Sequence, residues 1–268
     1  MDELIFQQRK EIVVCRTGGC LDKLRTMSSR QLNSLHPTLH VNEDHAMTTL
    51  LHIDASARPG RSGTHVHGSH SRRLSHHFVS SWLATQPGTE VIYRDIGAAP
   101  PSNVTGEWIA SGYTPAAERE PWMHAVLAES DALIAEIRRA DVLVIGVPMY
   151  NFSMPAPLKS WIDNIVRIGA TFDFDRSREN PYVPLLAERN RRTVLLTSCG
   201  SSGYGPGGFQ THLDLLTPGI TSPLALLGLN EMHSVAIEHA EDHGDLLDRS
   251  IASALTRVEA LVSELQAS

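Results

Sequence analysis

An apolar run opens at Asp141, continues Val-Leu-Val-Ile-Gly-Val-Pro148, and gives way to the aromatic and polar turn Met149-Tyr-Asn-Phe152. A run of Val, Leu and Ile without polar alternation predicts a parallel strand covered on both faces. Ligands of open α/β sheets collect where such strands end, so Met149 to Phe152 is the first candidate for a cofactor seat.

Four other runs read as strands: Thr48-Thr-Leu-Leu-His-Ile-Asp54, Glu90-Val-Ile-Tyr-Arg-Asp95, Thr193-Val-Leu-Leu-Thr-Ser198 and Met232-His-Ser-Val-Ala-Ile237. Helical spacing lies between them. Leu74, Phe78, Val79 and Trp82 predict a helix beginning near Ser69 or Ser71 and ended by Pro87-Gly88. Met123, Val126, Leu127, Leu133, Ile134 and Ile137 predict a second, with Arg138 and Arg139 at its negative end. A third follows Pro155, whose position suits a helix start. A last one carries Leu247, Ile251, Leu255, Val258, Leu261 and Leu265 on one face.

The punctuated stretch Ile96 to Pro121 predicts no more than a helical turn at Glu107 to Ser111. Residues 171–191 read as a loop with a short hairpin. Leu213 to Leu227 reads as two helical pieces parted by Pro218-Gly219. Five strands alternating with helices predict an α/β doubly wound parallel sheet. In strand order 2-1-3-4-5 the first, third and fourth strands are neighbours, and their C-terminal loops converge.

Those loops carry the candidate chemistry. The first, Ala55 to Ser69, is built from turn formers and leads to a helix start, where Ser56, Ser69, His70 and Ser71 with free amides could cradle a phosphate. The plain alternative is a Ser/Gly turn with Ser69 as N-cap. The second offers Met149, Tyr150, Asn151 and Phe152, a mixture suited to the faces and edges of a flat heteroaromatic ring; a capped turn over a core would look similar. The third, Ser198, Cys199, Gly200, Ser201 and onward to Gly208, has five glycines in the ten residues from Cys199, which predicts the most flexible backbone in the chain or close approach to a ligand. Neither Gly-x-Gly-x-x-Gly nor Gly-Lys-Ser/Thr occurs, which argues against a dinucleotide-binding Rossmann site and a P-loop hydrolase.

Composition narrows the classes further. A formal net charge of -7 and the lack of a basic stripe with interleaved aromatics argue against nucleic acid. No apolar stretch is long enough to span a bilayer and the N-terminus lacks a signal-peptide pattern, so the expectation is a soluble cytoplasmic protein. Residues 1–46 show no sustained periodicity and are expected to be an extension with little tertiary structure, ahead of a single domain over 47–268; Met47 is a candidate initiator. Cys15, Cys20 and Cys199 form no disulfide framework. His65, His67, His70, His76 and His77 crowd the first loop and its helix, but without acidic or cysteine partners at ligand spacing they read as a solvated loop partly over the phosphate, with no metal assigned.

Pro148-Met-Tyr-Asn-Phe152 followed by Pro155-x-x-Leu-Lys-x-Trp-Ile-Asp163 resembles the signature of the FMN-dependent NADH-azoreductases, also described as FMN-dependent NADH:quinone oxidoreductases. The resemblance extends from about Met47 to the C-terminus. It implies a flavodoxin-like fold and FMN, with phosphate on Ser56 and Ser69-His70-Ser71, the ring held by Met149 to Phe152, and Ser198 to Ser201 near the pyrimidine side. It also implies NADH or NADPH as donor, quinones or azo compounds as acceptors, and a homodimer with Ile96 to Pro121 as candidate cover. No side chain is then needed as nucleophile or obligatory acid. Two departures stand out: the first loop is about eight residues longer than the family's usual one, and Ser198-Cys-Gly-Ser201 replaces the frequent Ser-Arg-Gly-Gly. A flavodoxin-type electron carrier and an FMN-free interaction module remain the alternatives.

Overall fold

The computed structural model describes residues 5–8, 11–14 and 47–267. The chain divides into two compact units, Met1–Ala46 and Met47–Ser268. In the first, Ile5–Gln8 pairs antiparallel with Glu11–Val14. The expectation of an extension over 1–46 otherwise falls outside the described residues, as do Cys15 and Cys20.

The second unit is built on strands β1 (Thr49–Asp54), β2 (Glu90–Asp95), β3 (Val142–Pro148), β4 (Arg192–Ser198) and β5 (Glu231–Ile237). They run parallel in the order β2-β1-β3-β4-β5. β3 is buried at every position, as its unbroken apolar sequence requires in a sheet covered on both faces. Its alternate side chains enter different layers. Val142 and Val144 pack with Leu74, Phe78 and Trp82 of helix α1 (His70–Thr85) and with Ile251 and Val258 further along the chain. Leu143 and Ile145 face Leu133 and Ile137 on the opposite side, together with Leu158 and Trp161.

The remaining helices are α2 (Gly106–Tyr113), α3 (Pro121–Arg139), α4 (Ala156–Ile165), α5 (Leu216–Leu227) and α6 (Gly244–Ala267). Helix α6 shares the α1 face, while α3, α4 and α5 cover the other. The short hairpin expected within 171–191 pairs Phe172–Phe174 with Tyr182–Pro184.

Two expectations need correction. Pro218 does not split a helix, because α5 starts at Leu216 and places the proline in the first turn, where a missing N–H breaks no intrahelical bond. The Asp214 carboxylate caps this start, accepting from the amides of Leu216 (3.0 Å) and Thr217 (2.9 Å). The stretch from Ile96 to Pro121 holds a full helix, α2, where a single turn was expected. The Thr105 hydroxyl accepts from the Trp108 amide at the start of α2, and the Trp108 indole donates to Asn164 of α4 at 3.1 Å.

Candidate active-site cleft

Four strand ends build one cleft of about 370 Å3, within the usual ~300–1,000 Å3 of small-molecule sites. The loop after β1 supplies Ser56, Arg58, Ser69 and His70. The loop after β3 supplies Met149, Tyr150 and Asn151, while Ser198, Cys199 and Gly200 come from the end of β4. The segment after β5 adds Ala240 and Glu241. The convergence of the first, third and fourth loops follows from the strand order; the fifth strand's contribution was not anticipated.

The first loop is shaped by its eight-residue excursion, 61–68. The Ser69 amide donates to Gly60 O (3.0 Å) and the Ser62 amide to Ser69 O (3.0 Å), so the excursion closes on itself at its neck. Gly68 makes this closure possible, since a Cβ there would stand 2.2 Å from the Arg61 carbonyl. The extra length therefore leaves Ser56 and Ser69 on the same cleft wall.

At the start of α1, the Arg72 amide is capped by Ser69 Oγ (3.3 Å) and the Arg73 amide donates to Ser69 O (3.1 Å). The amides of His70 and Ser71 have no acceptor among the described residues, which leaves the first turn of a long helix open to an anion. Arg58 adds a guanidinium that holds no carboxylate among the described residues. The Ser71 hydroxyl is fully buried, 3.0 Å from Ser69 Oγ, so this residue can offer its amide but its side chain is outside the lining. Burial, with Arg73, Arg58 and His243 nearby, lowers the His70 pKa below its ordinary value and favours the neutral ring.

Beneath this loop lies a buried polar network that connects β1, β2 and α1. Arg72 grips Asp95 through both terminal nitrogens (2.6 and 2.8 Å) and donates to Ser56 O at 2.8 Å. Asp54 accepts from Ser75 Oγ (2.7 Å) and from the Tyr93 hydroxyl (3.0 Å). Burial would raise the Asp95 pKa, but Arg72 and the Ala98 amide outweigh it and hold the carboxyl below its usual range. Burial and the carboxylates of Asp54 and Asp95 keep the Tyr93 phenol protonated.

The β3 turn is fixed by two reciprocal bonds, Tyr150 amide to Ser153 O (2.9 Å) and Ser153 amide to Tyr150 O (3.0 Å). Its two central residues, Asn151 and Phe152, have φ of 49° and 70°, as the mirror-image two-residue hairpin turns require. Asn151 lines the cleft. Phe152 lies outside the lining and is partly exposed, its ring 6.4 Å from that of Tyr204.

The glycine-rich loop is anchored at its start. The amides of His239, Ala240 and Glu241 donate to the carbonyls of Ser201, Cys199 and Gly200 (3.1, 3.1 and 3.0 Å), and the Cys199 amide donates to Ile237 O at 3.0 Å. Backbone pairing thus extends past β4 and β5, and the glycine at 200 leaves room for the Glu241 carboxylate, which a Cβ would approach within 2.5 Å. Ser201 lies outside the lining, its hydroxyl accepting from Gln210 at 3.2 Å. Burial, reinforced by Glu238 and Asp214, pushes the Cys199 thiol up to about 12, so it is a protonated thiol donating to Ser201 O (3.2 Å) rather than a thiolate nucleophile. Among the described residues, no group of three or more His, Cys, Asp and Glu side chains is placed to hold a metal, and no helix is long and apolar enough to cross a membrane.

An open parallel sheet in this order, with free helix-start amides and an aromatic turn at its switch point, defines a flavodoxin-like α/β protein. The Flavodoxin_2 family model, described as flavodoxin-like fold, matches residues 48–262. The FMN-dependent NADH:quinone oxidoreductase 2 of Idiomarina loihiensis is 41% identical over 223 residues, covering 83% of this chain and 92% of its own. The FMN-dependent NAD(P)H:quinone oxidoreductase 1 of Pseudomonas aeruginosa is 38% identical over 217 residues, covering 80% and 98%. The crystal structure of an azoreductase from Bacillus anthracis str. Sterne matches with a TM-score of 0.70 at 21% identity, over 81% of this chain and 100% of that one, a likeness of fold. The chain belongs to the flavodoxin-like FMN-dependent NADH:quinone oxidoreductase family.

Proposed function

We propose that this chain holds FMN in the cleft and transfers two electrons from NADH or NADPH to quinones and azo compounds, the latter cleaved to amines. One observation carries the reading: a single cleft joins free helix-start amides and a guanidinium to an aromatic and amide turn. That pairing fits a phosphate at one end and a flat heteroaromatic ring at the other. When bound, FMN would supply the redox chemistry, two-electron transfer between a reduced nicotinamide and the acceptor.

The chain's own groups bind and orient. Ser56, Ser69 and the amides of His70 and Ser71 would hydrogen-bond the phosphate, and Arg58 would offset part of its charge. Met149, Tyr150 and Asn151 hold the ring with Ser198, Cys199 and Gly200, and Phe152 stands at the open side. The cleft requires no side chain to act as nucleophile. A homodimer belongs to this proposal. Ile109 and Tyr113 are half or more exposed, and none of Ile96 to Pro121 lines the chain's own cleft, so that segment suits the role of cover across a dimer. The setting proposed is cytoplasmic.

Protein purified with added FMN should show flavin absorbance, quenched flavin fluorescence and NAD(P)H oxidation with a quinone, with parallel double-reciprocal lines. Absence of bound flavin would overturn the reading. Ser56→Ala should weaken FMN binding about ten- to hundredfold, the loss expected for one hydrogen bond to a charged group. Equal affinity in the two proteins would remove Ser56 from the phosphate seat.

A further inference from the structure

On the far side of the excursion lies a second cavity, of about 290 Å3, lined by Arg61, Gly63, Thr64, Arg73, His76 and Leu255 among others. It is separated from the cleft by the excursion's own neck. Ser62, on its wall, lies 3.0 Å by its hydroxyl from Nδ1 of His70, which lines the cleft.

Its charge is one-sided. Arg72, Arg94, Arg139, Arg167, Arg189 and Arg191 each hold a carboxylate, whereas others such as Arg58, Arg119 and Arg138 hold none among the described residues. Arg61 and Arg73, which face this cavity, hold none among the described residues. Arg61 is positioned instead by a neutral acceptor: its Nη1 donates to His76 Nε2 at 2.7 Å, and His76 Nδ1 lies 3.2 Å from Ser80 Oγ. Burial and Arg61 hold the His76 pKa below its ordinary value, which keeps that acceptor unprotonated. Arg73 lies over Gly63, with Nη1 3.3 Å from where a Cβ would stand. The nearby carboxylate, Glu259, is engaged by His77 Nε2 at 3.1 Å. Two guanidinium groups beside one cavity, with no carboxylate on either, match the forked recognition of phosphate oxygens.

We propose that this cavity is a second anion site that takes a phosphate group of a small organic phosphate. It stands apart from the cleft's anion seat and does not depend on what the cleft binds. Two sources share this chemistry: the phosphates of the dinucleotide donor, and a separate phosphate-bearing molecule.

The test titrates pyrophosphate, at constant ionic strength, into protein loaded with FMN so that the cleft seat is filled, and follows the His76 ring by NMR. An anion at the cavity should raise the His76 pKa. Arg61→Met and Arg73→Met should each weaken pyrophosphate about tenfold, the scale of a lost charge-assisted hydrogen bond, while FMN affinity stays unchanged. Pyrophosphate affinity unchanged in both variants, or a His76 signal following ionic strength alone, would overturn the proposal. The same titration on Ser56→Ala separates it from the cleft reading: pyrophosphate binding at the cavity should be unchanged in that variant, whatever happens to its FMN affinity. A KM rise for NADPH but not NADH in the variants assigns the donor's 2′-phosphate. Both KM values unchanged, with pyrophosphate binding lost, assigns another phosphate; either result supports the site.

Discussion

Arg72→Met tests whether the network below the first loop holds the cleft in shape. Arg72 is 5% exposed and donates to Asp95, Tyr93, Ser56 O and, at 3.5 Å, Asp54. Methionine fills much of the same space with no donor. Asp54, 4% exposed, would keep Ser75 and Tyr93, whereas the Ser56 carbonyl would lose its partner. Removing one member of a buried ion pair costs about 3–5 kcal/mol. The Asp95 side chain is 28% exposed and can turn to water, which places the expectation near ~3 kcal/mol. For a domain of this size that is a fall in Tm of roughly 6–12 °C. Urea unfolding with an unchanged slope measures the loss, and FMN titration should show weaker binding because Ser56 is no longer held. Asp95→Asn and the double variant complete a cycle, with a coupling of about 0.5–3 kcal/mol expected for groups in direct contact. A loss below ~1 kcal/mol together with unchanged FMN affinity would refute the argument, because water would then be replacing the guanidinium.

Gly146→Ala would place a methyl 2.5 Å from Asp54 Oδ1 and 2.8 Å from Ser75 Oγ, and should cost about 1–3 kcal/mol in urea unfolding; an unmoved midpoint would show that the pair can shift aside. Acid unfolding reports the Asp95 pair. Its folded pKa lies below the ordinary 3.8, so its contribution is complete above that value and disappears as pH falls through the lowered pKa. Arg72→Met should therefore flatten the stability loss below pH 3.8, and an identical acid limb in both proteins would contradict the assignment. Phe152→Gly exchanges a left-handed aromatic residue for one without that backbone penalty, so stability should stay within about 1 kcal/mol while turnover with quinone falls. Unaltered turnover would remove the ring from the site.

Most of the sheet was legible because its information is local. An uninterrupted apolar run such as Val142 to Pro148 has few other uses, and β2 covers the expected Glu90 to Asp95 around its β-branched pair Val91 and Ile92. The strand order then follows from doubly wound topology, and it brings Ser56, Met149 and Ser198 to one edge. Glu241 and Ala240 were missed because they follow an edge strand with no ligand-like signature, and their place depends on backbone bonds to residues about forty positions earlier. Arg72 carries no signal of its own in the sequence beyond its place at a helix start. Its partners are 16 to 23 residues away, on two other elements, and no spacing rule connects them. The glycine-rich loop carries a further non-local feature: backbone bonds from His239, Ala240 and Glu241 anchor its start at Cys199 to Ser201, and composition does not record them.

The turn at Asn151-Phe152 shows how far local rules extend into the site. A two-residue turn with both φ values positive normally selects Asn-Gly, because glycine has no Cβ to crowd the backbone. Here the first position obeys the rule and the second does not, since Phe152 holds a φ of 70°. A left-handed L-residue costs about 1–2 kcal/mol relative to its ordinary conformations. The cost is met by surrounding bonds: the turn is closed in both directions by Tyr150 and Ser153, and the Phe152 carbonyl accepts from the Leu215 amide at 3.0 Å. Those bonds over-determine the backbone, which is the condition under which such strain persists. Leu215 sits just before α5, so the turn is tied to the layer that covers β3 as well as to the strand itself. The structure thus spends packing on keeping an aromatic ring partly exposed beside the cleft, where folding alone would favour glycine. Phe152→Gly separates the two accounts of that choice: a fall in quinone turnover at unchanged stability assigns the ring a part in binding or turnover, and unaltered turnover leaves the strained turn to the fold alone.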